Sequence, residues 1–250
     1  MRVSNRPALS VHYGVSLRCL ELKYESEEER LVSEVQTRPL VEQRAGFPER
    51  AVIFLANHWL LLLNLAVFVF VALPVVAPIL AEAGQERPAF WIYDVYRFTC
   101  HQLPFRSFFI GGPKPDYSVS EILEATHTSH EFDLIHNPVV GSALGSQLAL
   151  CHRDMAIYLA VLVAGLVFAL ARHRTRPLPF KIFVLFVVPI ALDGFSQLLG
   201  GIVPLLPERE STWSLRTLTG AIFGVGGVWL AYPYIELGMR DLRKSLSNRS

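Results

Sequence analysis

"WLLLLNLAVFVFVALPVVAPIL", Trp59 to Leu80, runs for 22 residues without a charge. About 20 apolar residues are enough to cross the hydrocarbon core of a bilayer as a helix. The run starts too far into the chain, and is too long, for a cleaved signal peptide. Three further stretches have the same character: Met155 to Ala171, "KIFVLFVVPIALDGFSQLLGGIVP" from Lys181 to Pro204, and "LRTLTGAIFGVGGVWLAYPYIEL" from Leu215 to Leu237. Whole-chain composition agrees, with 52% hydrophobic and 18% charged residues and a mean hydropathy of +0.35. The net charge of +1 gives no reason to expect nucleic acid as a partner. The expected partner is the lipid bilayer, with a homo-oligomer or membrane complex left open. The expected fold is all-α: an integral membrane four-helix bundle with an outer interfacial helix and a long outer loop.

Orientation follows from the basic residues, which accumulate in short cytoplasmic loops. Spans two and three are joined by "ARHRTRPLPFK", with Arg172, Arg174, Arg176 and Lys181 and no acid. The tail over 241–250 holds Arg243, Lys244 and Arg249 against Asp241, just after Arg240. The link "LLPERESTWS" between spans three and four has acids on both sides of one arginine. Both termini are therefore expected in the cytoplasm. Residues 1–50 carry as many acids as bases and no sustained apolar period, and are expected as a loosely ordered cytoplasmic tail. The four-span membrane domain is expected over 51–240.

The segment from about Ala81 to Asp154 then faces outward. It contains two Cys-His pairs, Cys100-His101 and Cys151-His152, while Cys19 lies in the N-terminal tail. In "PAFWIYDVYRFTCHQLP", from Pro88, Trp91, Val95 and Phe98 fall on one stripe, which predicts a short amphipathic helix at the interface. That helix is expected to end just before Pro104 and to deliver Cys100 and His101 in its last turn. "RSFFIGGPKPDYS" and "THTSHEFDLIHNP" read as loops, and "GSALGSQ" as the entry to span two.

"YRFTCHQLPFRSFF", "CHRDMAIYLA", "ALDGFSQLLGG" and "LRTLTGAIFGVGGVWLAYP" together resemble the prokaryotic membrane proteins of domain-of-unknown-function family 2085. The resemblance covers about residues 55 to 240 and leaves out the N-terminal tail and the histidine-rich stretch. It implies a multi-pass membrane protein and no established activity. Many relatives show Cys-x-Arg-Cys in the second block, where this chain has Cys151-His152-Arg153-Asp154; a cluster made of cysteines alone is put in doubt by Asp154.

Helical spacing sorts the polar residues of the spans. Cys151, Asp154 and Tyr158 share one face of span two, and Asp193 and Gln197 share a face of span three. Asp193 lies deep enough to need a partner or to stay neutral; Arg216 on span four is the first choice, with Arg153 as the alternative. Cys100, His101, Arg106, Cys151, His152, Asp154, Asp193, Gln197 and Arg216 are expected to form one outward-facing polar funnel. Its candidate proton-transfer groups are Asp193 and Asp154; its candidate binding groups are Arg106, Tyr158, Gln197 and Arg216. Gly220, Gly224 and Gly227 read as helix-packing positions, Asn57 and Asn64 as interhelical hydrogen-bonding groups, and His127, His130 and His136 as a solvated loop.

For Cys100, His101, Cys151, His152 and Asp154 three readings stand side by side. The cysteines form a disulfide in an oxidising compartment, or they join histidine and carboxylate ligands around a metal such as zinc. In the third, they act as redox thiols, without the close Cys-x-x-Cys spacing that tunes such pairs. Nucleophile-elbow, zinc-protease, phosphate-loop and dinucleotide fingerprints are missing from the sequence. The expected function is a membrane binding or accessory protein with a metal-capable outer site. The alternative is a small membrane enzyme acting through the same residues on a redox or lipid-linked substrate.

Overall fold

The structure, a computed structural model, describes residues 47–172, 174–202 and 209–247. The N-terminal tail expected over 1–50 lies outside the described residues up to 46. The chain divides into two units, Met1–Val52 with Ser250 and Ile53–Arg249, and the second contains both Cys-His pairs.

Among the described residues, four helices are long and apolar enough to cross a membrane. They are α1 (Phe47–Glu82), α4 (His152–Ala171), α5 (Phe180–Ile202) and α6 (Trp213–Ser247). The first and last exceed the apolar stretches read from sequence, because a helix continues past the hydrocarbon boundary wherever its residues keep helical propensity. Between α1 and α4 lie two short helices, α2 (Glu86–Tyr96) and α3 (Val119–Thr126), and the strands β1 (Ser107–Ile110) and β2 (Ser146–Cys151). The fold is all-α apart from this small antiparallel pair, which places Ser107 opposite Cys151 and Phe109 opposite Gln147.

The bundle is apolar inside and outside. Leu170 is 92% and Leu192 66% exposed, exposures that water would penalise and lipid does not. Inside, Trp59, Phe168 and Tyr232 form a ring cluster joining α1, α4 and α6. Helices α4 and α6 approach closely because Gly220 and Gly224 face α4 without side chains. A Cβ on Gly224 would stand 2.4 Å from the carbonyl oxygen of Ile157, and one on Gly220 2.7 Å from that of Arg153. Gly227 has open space around it and plays no such part. Asn64 is buried and donates to the Gly165 carbonyl at 3.4 Å, whereas Asn57 is exposed. At the end of the bundle where α4 finishes, Glu236 accepts from Trp59 at 3.0 Å and pairs with Arg172, Arg240 and Arg243.

The segment after α2 is more ordered than its sequence suggests. "SFFI", within a stretch read as loop, and "SQLALC", which begins inside the "GSALGSQ" read as the entry to span two, are the two strands. Leu148, Ala149 and Leu150 of β2 are buried with Tyr93 and Tyr96 of α2 and Val71 and Ala77 of α1. Only three or four apolar residues per strand carry that signal, too few for a period to emerge. Helix α2 also ends earlier than expected, at Tyr96. The amides of Thr99 and Cys100 close a turn onto the Tyr96 carbonyl, and the buried Gln102 amide donates to the Tyr93 carbonyl at 2.7 Å. Cys100 therefore sits in a turn beyond the helix. The exposed stripe is Trp91, Val95 and Phe98, as an interfacial helix requires, while Tyr93 and Tyr96 point inward.

Candidate functional site

Two backbone features bring the distant cysteines together. Cys151 ends β2 and is the residue before the first turn of α4, in extended conformation. Cys100 ends the turn after α2, and Gln102, two residues on, adopts a left-handed φ of 52°. Such a φ is uncommon outside glycine and is held here by four hydrogen bonds. The Gln102 amide donates to Tyr93 O and Ala149 O, Gln147 donates to Gln102 O, and Gln102 N–H donates to Cys100 Sγ at 3.4 Å. Gln102 and Gln147 thereby tie the Cys100 turn to β2. Sequence reasoning passed over both, since a glutamine in a turn ordinarily faces water.

Cys100 Sγ, Cys151 Sγ and a carboxylate oxygen of Asp154 all lie within 4.8 Å of one another. Both cysteines are free thiols, and Cys151 Sγ donates to Asp154 Oδ2 at 2.9 Å. The hydrogen bond with Cys151 lowers the Cys100 thiol below its ordinary value; burial opposes this and the Gln102 N–H reinforces it. Cys151 is pushed up, first by that same hydrogen bond and then by burial, with the charge of Asp154 adding to it. Two sulfurs and one hard oxygen, convergent and partly buried, match the donor set of a thiophilic divalent ion with one position left open.

The expected single funnel resolves into separate groups. His101 is exposed and stacks on His136 with ring centroids 5.8 Å apart, outside the triad. His152 is buried and turned against Phe108 at 4.2 Å. Tyr158 packs on Phe70 at 4.6 Å, as part of the core. Asp193 is 3% exposed and pairs with Arg153, the alternative partner, not with Arg216. Ser211 and Gln197 also donate to its Oδ2, at 3.1 and 3.3 Å, and Arg209 approaches to 3.9 Å. Arg216 pairs instead with Glu210, whose other oxygen takes Arg106 at 2.7 Å. Burial raises Glu210, but these two arginines outweigh it and hold its carboxyl below the usual range. Arg153 lies in the first turn of α4 and reaches Asp193 of α5, while the link residue Glu210 takes Arg216. Glu210 was legible only as an acid in a short loop.

Residues 142–230 match the family described as predicted membrane protein of unknown function, DUF2085. This span contains Cys151, Asp154, Asp193 and Arg216; Cys100 and Arg106 precede it. The chain is also similar to an uncharacterised protein of Methanocaldococcus jannaschii, at 30% identity over 165 residues that make up 63% of this chain and 80% of the relative. No solved structure matches. The chain belongs to the DUF2085 family of membrane proteins of unknown function.

Proposed function

We propose that this protein is a metal-binding accessory protein of the prokaryotic cell membrane, with Cys100, Cys151 and Asp154 as ligands for a zinc-like ion on the outer side. The observation that carries the reading is the convergence of two thiols and one carboxylate within 4.8 Å. Asp154 separates this from the disulfide reading. A disulfide would take away the thiol proton that Asp154 Oδ2 accepts, leaving a partly buried carboxylate oxygen beside an apolar bridge. An ion would satisfy all three groups at once. No substrate or reaction is assigned to the site.

The topology belongs to the same proposal: both termini cytoplasmic, and the membrane domain over 51–240. It is supported by Arg172, Arg174 and Arg176 in one short link and by Arg240 and Arg243 near the C-terminus. The test is elemental analysis of the full-length protein purified in a maltoside detergent without chelator. About one thiophilic metal per chain is expected, falling to background in Cys100→Ser and Cys151→Ser variants that still elute as folded protein. Absence of metal from wild type after incubation with zinc, or retention in both variants, would refute the assignment.

A further inference from the structure

A cavity of about 890 Å³ is lined by His152, the residue after Cys151, with Arg216 and Glu210. Three helices begin at its wall: α3 at Ser118 to Glu121, α4 at His152, and α6 at Thr212 and Trp213. A helix start presents N–H groups and the positive end of its dipole. Ser118 and Thr212 cap two of these starts, while no side chain caps the first turn of α4.

The stronger signal is a surplus of buried donors. His152 lines the cavity at 1% exposure, with the Ser107 backbone as a weak partner to its ring. Arg216 lines it at 3% exposure with Nε unpartnered, and Nε of Arg106 is likewise buried and unpartnered. Both guanidiniums converge on Glu210, a link residue whose side chain is 53% exposed. One carboxylate with two oxygens thus serves two guanidiniums, and it comes from a half-exposed link residue. The lining also includes Asp116 and Glu121, and Lys114 offsets both, pairing directly with Glu121.

We infer that this cavity binds a phosphate group, free or at the head of a lipid, which displaces the Glu210 carboxylate from Arg106 and Arg216. A phosphate brings three terminal oxygens where Glu210 brings two. It can therefore engage both guanidinium forks and the His152 ring together. Glu210 is then a tethered competitor that keeps the buried Arg216 neutralised until the ligand arrives.

The competitor role sets the test. Full-length protein in maltoside micelles is titrated calorimetrically with inorganic phosphate at constant ionic strength. In a second arm it is titrated with phosphatidic acid, with diacylglycerol of the same chains as control. Glu210→Gln is expected to tighten binding by about tenfold, the scale of one charge-assisted hydrogen bond no longer contested. Arg106→Gln is expected to weaken it by a similar factor of about ten, and Arg216→Gln to do the same if it folds. Cys100→Ser should bind as wild type, so failure of the metal assignment leaves this result standing. Binding of inorganic phosphate supports a soluble ligand, and binding of phosphatidic acid alone supports a lipid headgroup. No binding in either arm, or a Glu210→Gln variant that binds no tighter than wild type, overturns the inference.

Discussion

Replacing Gly224 by alanine tests the contact that sets the spacing of the whole polar end. The new methyl would lie 2.4 Å from the Ile157 carbonyl oxygen and 3.0 Å from Ala160 Cβ. Ordinary carbon–oxygen contact is about 3.3 Å, so the α4 backbone must retreat by about 1 Å. The obstacle is main chain, which has no rotamer to change, and overpacking of this kind costs about 3 kcal/mol at its upper range. Alanine recovers about 1 kcal/mol of helix propensity over glycine, leaving a net loss of about 2 kcal/mol. Gly227→Ala is the matched control. It sits one turn away with nothing within 4 Å, so it gains the propensity alone, about 1 kcal/mol. Equilibrium unfolding of both variants by SDS in mixed micelles, followed by far-UV circular dichroism, should separate them by about 3 kcal/mol with opposite signs relative to wild type. Equal stabilities, or a more stable Gly224→Ala, would refute the packing argument.

Three other outcomes rest on named contacts. Asp193→Asn and Arg153→Gln should each lose about 3 kcal/mol by breaking a buried pair. The double variant should lose far less than the sum, whereas Asp193→Asn with Arg216→Gln should be additive in the same unfolding assay. Gln102→Ala leaves the Tyr93 and Ala149 carbonyls without their amide, at a cost of about 2 kcal/mol; Cys100 should react faster with a maleimide, and an unchanged rate would separate Gln102 from the site. Glu121 is held down at about 2 by its hydrogen bond with Lys114 and those from Ser118. A depressed carboxyl stabilises above its ordinary value of 4.5 and loses that contribution as pH falls toward about 2. Hydrogen-exchange protection over Val119–Thr126, taken relative to the intrinsic rate at each pH, should fall selectively across that window, and protection that is flat with pH would count against the capping box.

The spans were legible because their signal is long and redundant: 22 uncharged residues in "WLLLLNLAVFVFVALPVVAPIL" can hardly be read otherwise. The convergence of Cys100 and Cys151 was legible for a related reason, since each lies next to the end of a helix. What supports them was not. β1 and β2 are four and six residues long, and β2 runs straight into α4, so its apolar residues look like the helix they precede. Gln102 and Gln147 reveal their role only through a backbone turn that no spacing rule anticipates. The choice between Arg153 and Arg216 for Asp193 depends on how three helices rotate about their axes, which face arguments within single helices leave open. Glu210 and Glu236 organise arginines from several elements, and nothing local marks either acid as a hub.

The state of the two thiols tests the metal assignment most directly. Full-length protein purified without reductant or chelator is reacted in maltoside micelles, without denaturant, with a chromogenic thiol reagent, after treatment with a metal chelator alone, with reductant alone, or with neither. Cys19→Ser is used as background, so that Cys100 and Cys151 are the only cysteines. Native protein treated with chelator should expose both thiols to the reagent without any reductant, and zinc added back should protect them. Thiols that become reactive only after reductant would show a disulfide and contradict the account.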